Sequence, residues 1–536
     1  MHDVVIRGGL VLDGTGRPGT VGDVAVDGGR LTAVAGDAGS GRREIDARGK
    51  AVSPGFIDIH SHSDTIVLVY PLAESKTHQG VTTEAIGNCG SSAFPLVGEA
   101  QKRAVRMLGQ MGIDASWTTL AEYRAEVKRR GTAVNLAPFV GHGTVRAAVM
   151  GMEDRAPHPE ELAEMQRLVA QAMAEGAFGI TTGLIYPPGC YSNVDEVAEV
   201  TRPVAAAGGI YMIHLRNESD LLLQAVEEAM AVGRRAGLPV QISHHKAAGK
   251  GNWGKVSQTL GMIDKANAEG LDVTGDVYPY TAGSTGLSTL IPAWAHAGGT
   301  AALVERLKSQ EMRDRFRREM EEGIPGWENF VKQAGFDNVL ITSVKTERNA
   351  SLPGMTVAQA AARRGQNPYE ALFDILVEEE ASPGMVVFMM DEADVARVLS
   401  HPKMMVGSDA SGVAPYGMMA RAKPHPRAYG TFPRVLGQFA RDKGVLPLET
   451  AVWKMTGFPA WRLGLPDRGR LAPGLVADLT VFDPTTVADL ATYADPHRFP
   501  SGIETVMVNG QVIVEGGENT GARPGRVLSR NGSSFR

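Results

Sequence analysis

Cysteine is nearly absent, two in 536 residues, which excludes a scaffold stapled by disulfides. No run of about 18 apolar residues occurs, so no spanning helix is expected. An excess of either charge is also missing. With 54 basic and 60 acidic side chains the formal charge is −6, and no basic footprint marks nucleic acid or an anionic membrane as a partner. A G-x-S-x-G elbow is absent too, which tells against a serine hydrolase. The amino end enters a strand-like pattern at once, with no basic n-region and apolar h-region. These absences leave a soluble, cytoplasmic globular protein. Its length predicts one large domain with additions, or two domains. Glycine (64) and proline (30) are plentiful, as many tight turns between short strands require. Composition does not specify an oligomeric state.

The two ends share one pattern. Residues 1–54 carry short alternating runs cut by Gly and Asp, such as VVIRGGLVLDG and GDVAVDGGRLTAVAG, and residues 468–536 repeat it in LVADLTVFD and MVNGQVIV. The Asn-Gly pair between β-branched runs is a hairpin signal. Neither piece has enough strands to stand alone, so both are expected to pair into a composite β-sandwich. The Gly-, Arg- and Ser-rich tail after about Val514 is expected to be loosely ordered.

Between them, at 55–467, apolar runs alternate with amphipathic stretches such as PEELAEMQRLVAQAMAEGA. Eight candidate strands fall at 55–62, 81–87, 134–141, 178–183, 209–215, 239–245, 272–279 and 403–409. The alternation implies parallel strands, and eight units imply an α/β architecture of the (β/α)8 TIM-like barrel type. A doubly wound open sheet is the alternative. The gap before the eighth strand is too long for one crossover, so an inserted subdomain is expected at 285–350, covering the site.

In such barrels chemistry gathers at the C-terminal ends of the strands. There the sequence places His60 and His62, Cys89, His214, His244 and His245, and Asp409. His60 and His62 are two apart, so they share a face and reach one ion. Cys89, in IGNCGSS, becomes a thiolate ligand where neighbouring imidazoles and an ion lower its pKa. Cys89, His214 and His244 form a borderline N/S set that suits Zn²⁺ with a fourth position for water. His245 is left as a supporting or buried ring, and Cys190 as incidental or pocket wall. Asp409, ionised beside a cation, has the chemistry of a general acid/base.

The run G-F-I-D-x-H-x-H, the strand-end histidines and Asp409 resemble the amidohydrolase superfamily across nearly the whole chain. The fourth strand ends GITTGLIYPPG, without the lysine that bridges two metals in many members. GNCGSSAFP, GHGTVR, GLIYPPGCYS, IHLRNESD, ISHHKAAG, DVYPYTAGST and GSDAS together resemble the N-acyl-D-amino-acid deacylases, or D-aminoacylases. That resemblance implies one tight zinc on Cys89, His214 and His244, with a second, weaker site at His60, His62 and Asp409. It implies Asp409 as the acid/base and hydrolysis of N-acyl-D-amino acids to a carboxylate and a D-amino acid. Lys246, Tyr278 and Ser284 would lie near the substrate carboxylate or side chain, and Tyr186 and Tyr191 would form pocket wall. Arg216 and Glu218 read as an internal ion pair. The apolar stretch after Ser284 favours neutral or hydrophobic side chains, with Arg348 the remaining candidate for an acidic one. The alternative is another amidohydrolase reaction, on a cyclic amide or a dipeptide.

Overall fold

In a computed structural model that describes residues 1–530, both chain ends enter one nine-stranded sheet. The seam is antiparallel, Ala51–Pro54 against Leu479–Phe482. His2–Val11 pairs with Gly41–Asp46 along its first half and with Ala51–Val52 along its second, and its antiparallel pairing with Thr20–Asp27 shifts register between Ile6 and Gly9. This folds the sheet around its own apolar cluster, which includes Ile6, Val24, Val52, Leu479 and Met507. The Asn-Gly hairpin forms between Ile503–Val508 and Gln511–Glu515. Asn509 and Gly510 sit at φ +50° and +82°, as a two-residue turn of that hand demands.

The tail corrects the expectation of loose order. Gly525 N–H bonds Thr132 O at 2.8 Å, Leu528 N–H bonds Leu136 O at 2.7 Å, and Arg530 N–H bonds Gly176 O. Unpaired backbone groups there outweigh the turn-rich composition. Residues 531–536 of that expectation lie outside the described residues.

Between the ends the strands are parallel. Phe56–Asp58, Val81–Ile86 and Asn135–Pro138 pair in order. Val140–Gly141, Gly179–Gly183, Ile210–His214, Val240–Ile242, Val273–Val277 and Met404–Val406 continue the series. Phe139 N–H to Ile86 O and Phe178 N–H to Pro138 O join the two groups. Ser61 and Ala410 form a parallel bridge, so the exit of the last strand meets the exit of the first. Inward side chains such as Ile57, Ala85, Phe139, Met212 and Met405 fill the space between strands, above Phe458 and Leu463 of the helix Gly457–Leu463. Among the described residues no helix is long and apolar enough to cross a membrane.

A further antiparallel sheet spans the region of the expected insertion and reaches past residue 350. It takes Ala282–Gly286 and Val339–Ser343 on either side of Gly384–Phe388, so the third strand lies beyond the expected boundary. Helices Thr300–Lys308 and Gln310–Glu322 precede the second strand, and Val357–Arg364 and Pro368–Glu378 follow it.

Candidate metal centre

Each expected ligand lies just past, or at the last residue of, a parallel strand. Cys89 follows Val81–Ile86, His214 ends Ile210–His214, and His244 is two residues past Val240–Ile242. Cys89, His244 and Asp409 all adopt left-handed backbone, at φ +52°, +35° and +51°. Strain of this kind costs about 1–3 kcal/mol per residue and persists where the surroundings impose it. Gly87 and Gly90 relieve crowding beside Cys89, where an added Cβ would meet Phe139 O at 2.1 Å and Gly183 N at 2.7 Å.

The side chains converge. Cys89 Sγ lies 3.3 Å from His60 Nε2, 3.5 Å from His244 Nε2 and 3.7 Å from His214 Nδ1. A tetrahedral zinc with ordinary bond lengths has S···N edges of roughly 3.6 Å, so these spacings fit an ion. His214 Nδ1 and His244 Nε2, at 2.8 Å, are closer than the roughly 3.3 Å N···N edge and must part slightly to ligate. His60, Cys89, His244 and Asp409 offer ligand atoms within 4.8 Å of one another. His62 stands outside that group and bonds Asp409 Oδ1 through Nε2 at 2.9 Å.

Charge organises the cluster. Burial pushes the Cys89 thiol up, but His60 and His244 outweigh it and hold the group well below its usual range, as thiolate. Burial opposes the His62 cation too, yet Asp409 and Cys89 raise the ring to about 9. Imidazole protons leave when the nitrogens ligate, because metal ligands must be deprotonated. Asp409 is pulled well below the carboxylate range against burial, chiefly by Arg427 and then by His244.

The supporting groups differ from the sequence reading. Glu218 does not pair with Arg216. Its carboxylate accepts from His244 Nδ1 at 3.1 Å and from Lys246 Nζ at 2.7 and 2.8 Å. Arg216 instead pairs with Glu228 at 2.9 Å. Lys246 is therefore committed to Glu218 beneath the site. Tyr191 donates to Ala293 O at 2.9 Å and ties its loop to the insertion. Arg348 pairs with Glu378 and is 73% exposed, away from the pocket. Tyr186 packs against His214 with ring centroids 4.9 Å apart and the planes tilted by 56°, and its oxygen accepts from Thr285. The Tyr278 hydroxyl donates to the Met390 thioether at 3.6 Å. Ser284 donates to Met385 O. His245 points outward to Thr259 at 2.7 Å.

Two functional residues had escaped the sequence reading. Asp276 accepts from the backbone N–H of His244 at 2.7 Å and lies 3.6 Å from His60 Nδ1, so one buried carboxylate holds the His244 main chain and faces the His60 ring. An acid inside an apolar strand was its available signal. Arg427, on the helix Arg427–Arg434, lies 2.7 Å from Asp409 Oδ2 and 4.6 Å over the Tyr278 ring. Its Nη1 makes that contact with Asp409, and its Nη2 donates to Ser284 O at 3.1 Å. A cavity of about 210 Å³ opens here, lined by His62, Asp409 and Arg427, by Ser284, Thr342 and Ser343 of the insertion, and by Val413 and Met419.

The Amidohydrolase family model matches residues 43–514. The chain belongs to the amidohydrolase family. Within the family it resembles D-aminoacylase from Alcaligenes xylosoxydans xylosoxydans, 40% identical over 98% of each chain. The N-acyl-D-glutamate deacylase of that organism is 37% identical, over 99% of this chain and 97% of the relative. A solved D-aminoacylase, described for a binuclear metal centre with one-metal activation and second-metal attenuation, superposes with a TM-score of 0.82 at 40% identity, covering 99% of this chain and 100% of the other. N-acyl-D-glutamate deacylase from Bordetella bronchiseptica, complexed with zinc and a phosphonate mimic of the tetrahedral intermediate, gives 0.81 at 35% identity, covering 98% and 99%.

Proposed function

We propose that this amidohydrolase cleaves the amide of N-acyl-D-amino acids, with zinc as cofactor. The observation that carries the reading is the convergence of Cys89 with three imidazoles beside a low-pKa carboxylate, Asp409, which the Arg427 guanidinium pairs. The kinship with D-aminoacylase and the two acyl-D-amino-acid deacylases supports the substrate class. Cys89, His214 and His244 would hold the tight ion, and His60 with Asp409 would flank a weaker one. Zinc, when bound, supplies Lewis-acid polarisation of the amide carbonyl and brings water toward ionisation near neutral pH. Asp409 takes a proton from the attacking water and returns it to the departing nitrogen. Arg427 receives the substrate carboxylate, aided by the Tyr278 hydroxyl, and Tyr186 walls the pocket. Arg427 and the His62 ring are the cations lining the cavity and both already face Asp409, so a second substrate carboxylate finds no free counter-charge among these residues. Neutral or hydrophobic side chains fit better.

The parallel strands are read as a (β/α)8 barrel, a closure supported by the Ser61–Ala410 bridge, with the insertion over its mouth. No lysine follows the fourth strand, and no observation favours the cyclic-amide alternative. A screen of acetylated D- and L-amino acids, with and without a chelator, tests the function. Hydrolysis of D-enantiomers, lost on chelation and restored by zinc, is expected. Equal rates on both enantiomers, or rates untouched by the chelator, would refute it.

A further inference from the structure

Beneath His60 and Asp409 lies a charged cluster that the reaction does not use. Lys76, on the short helix Glu74–Thr77, is fully buried, as are Asp58, Glu84 and Ser408. Its Nζ donates to Asp58 Oδ2 at 2.7 Å and to Ser408 Oγ, and lies 3.7 Å from Glu84 Oε2. Asp58 Oδ1 accepts from His60 N–H at 3.2 Å and from Ser408 N–H at 2.9 Å. Glu84 accepts from the hydroxyls of Ser61 and Ser63, and Ser63 Oγ accepts from Gly412 N–H at 2.7 Å. Apart from Glu84, every one of these partners is within two or three residues of His60, His62 or Asp409 along the chain.

We infer that Lys76 is a positioning residue: its ammonium ties the first parallel strand to the eighth and so sets Asp409 against His60. Asp409 needs such a hold. Its backbone is at φ +51°, and its N–H reaches His60 O at 2.8 Å across the seam between the two strands. Two carboxylates share that buried space with one ammonium. Without the ammonium they repel, and the seam carrying the acid/base opens. Cys89 follows the strand that carries Glu84, whereas His214 and His244 come from other strands.

The inference rests on the role proposed for Asp409, and its test separates the two. Lys76→Met is expected to lower kcat about 10–100-fold, with KM changed less than about threefold, as a displacement of about 1 Å at a reacting group does. Zinc content stays at the parent level. Hydrogen exchange over 404–412 quickens while 210–216 stays protected, a readout that needs no activity. In Lys76→Met/Asp58→Asn, the new amide's oxygen keeps both N–H partners and its NH₂ reaches Ser408 Oγ at unchanged net charge. That variant recovers most of the lost kcat, and carries the test if the single variant fails to fold. Parent-level kcat and exchange in folded Lys76→Met would overturn the inference. So would zinc loss in proportion to activity, or a folded double variant as impaired as the single one. An inactive parent would refute the function, with the exchange data still deciding the role of Lys76.

Discussion

Replacing Lys246 by methionine separates two readings of that residue. Its ammonium lies 2.7 and 2.8 Å from the two oxygens of Glu218, and the two side chains are 3% and 2% exposed. Solvent cannot take over for a lost partner at that depth. Removing one member of a buried pair costs about 3–5 kcal/mol, because the remaining charge stays buried. A chain of 536 residues unfolding as one unit has an unfolding entropy of about 1.1 kcal/mol/K, so the expected fall in Tm is about 3–4 °C. Adding Glu218→Gln removes the stranded carboxylate, while its amide oxygen still accepts from His244 Nδ1. The double variant should therefore be more stable than Lys246→Met alone. Calorimetry on metal-free and zinc-loaded protein measures both, with KM followed in parallel. An unchanged Tm with a KM raised tenfold or more would refute the assignment to Glu218 and place the ammonium on the substrate.

Arg427→Met should raise KM about 10–100-fold, the equivalent of a charged hydrogen bond of about 1.5–3 kcal/mol. Burial already pushes Asp409 upward and Arg427 is the leading group that opposes it, so the acidic limb of the pH–rate profile should also move to higher pH. Glu328, buried in the insertion with Oε1 on Glu218 N–H at 2.9 Å, is pushed up to about 8 by burial and the Glu218 charge. Its folded-state pKa is raised, so its stabilisation is full below the ordinary carboxylate range and is lost as pH rises through about 8. Glu328→Gln should flatten Tm against pH over that window, by up to about 1.4 kcal/mol per pH unit. Cys89→Ala should abolish tight zinc binding, measured by competition with a chromophoric chelator, and hydrolysis with it.

Where apolar runs and strand-end polar residues coincide, the site was legible from the chain. Cys89, His214 and His244 sit where the alternation of strand and helix places a barrel mouth, and the structure brings them together. Lys246 shows where the reasoning stops. Two-residue alternation put it on the face of His244, and its Nζ does lie 2.7 Å from His244 Nδ1, but alternation could not show that Glu218 also takes the ammonium. Arg427 carried no signal because the segment from Asp409 to its helix has as its regular element only the short 3-10 turn Gly417–Arg421, which no periodicity records. The reach of the insertion was missed for a related reason: its third strand, Gly384–Phe388, is separated from the second by two helices.

The strand Ala51–Pro54 finds its antiparallel neighbour in Leu479–Phe482, some 425 residues later. On a ribosome adding about 5–20 residues per second, that neighbour arrives roughly 20–85 s after the strand has emerged. Through that interval the nascent amino-terminal hairpins present an open edge to every other chain nearby. The cell must therefore guard an unfinished sheet for most of the time of translation, and the final sixty residues end that vulnerability when they emerge.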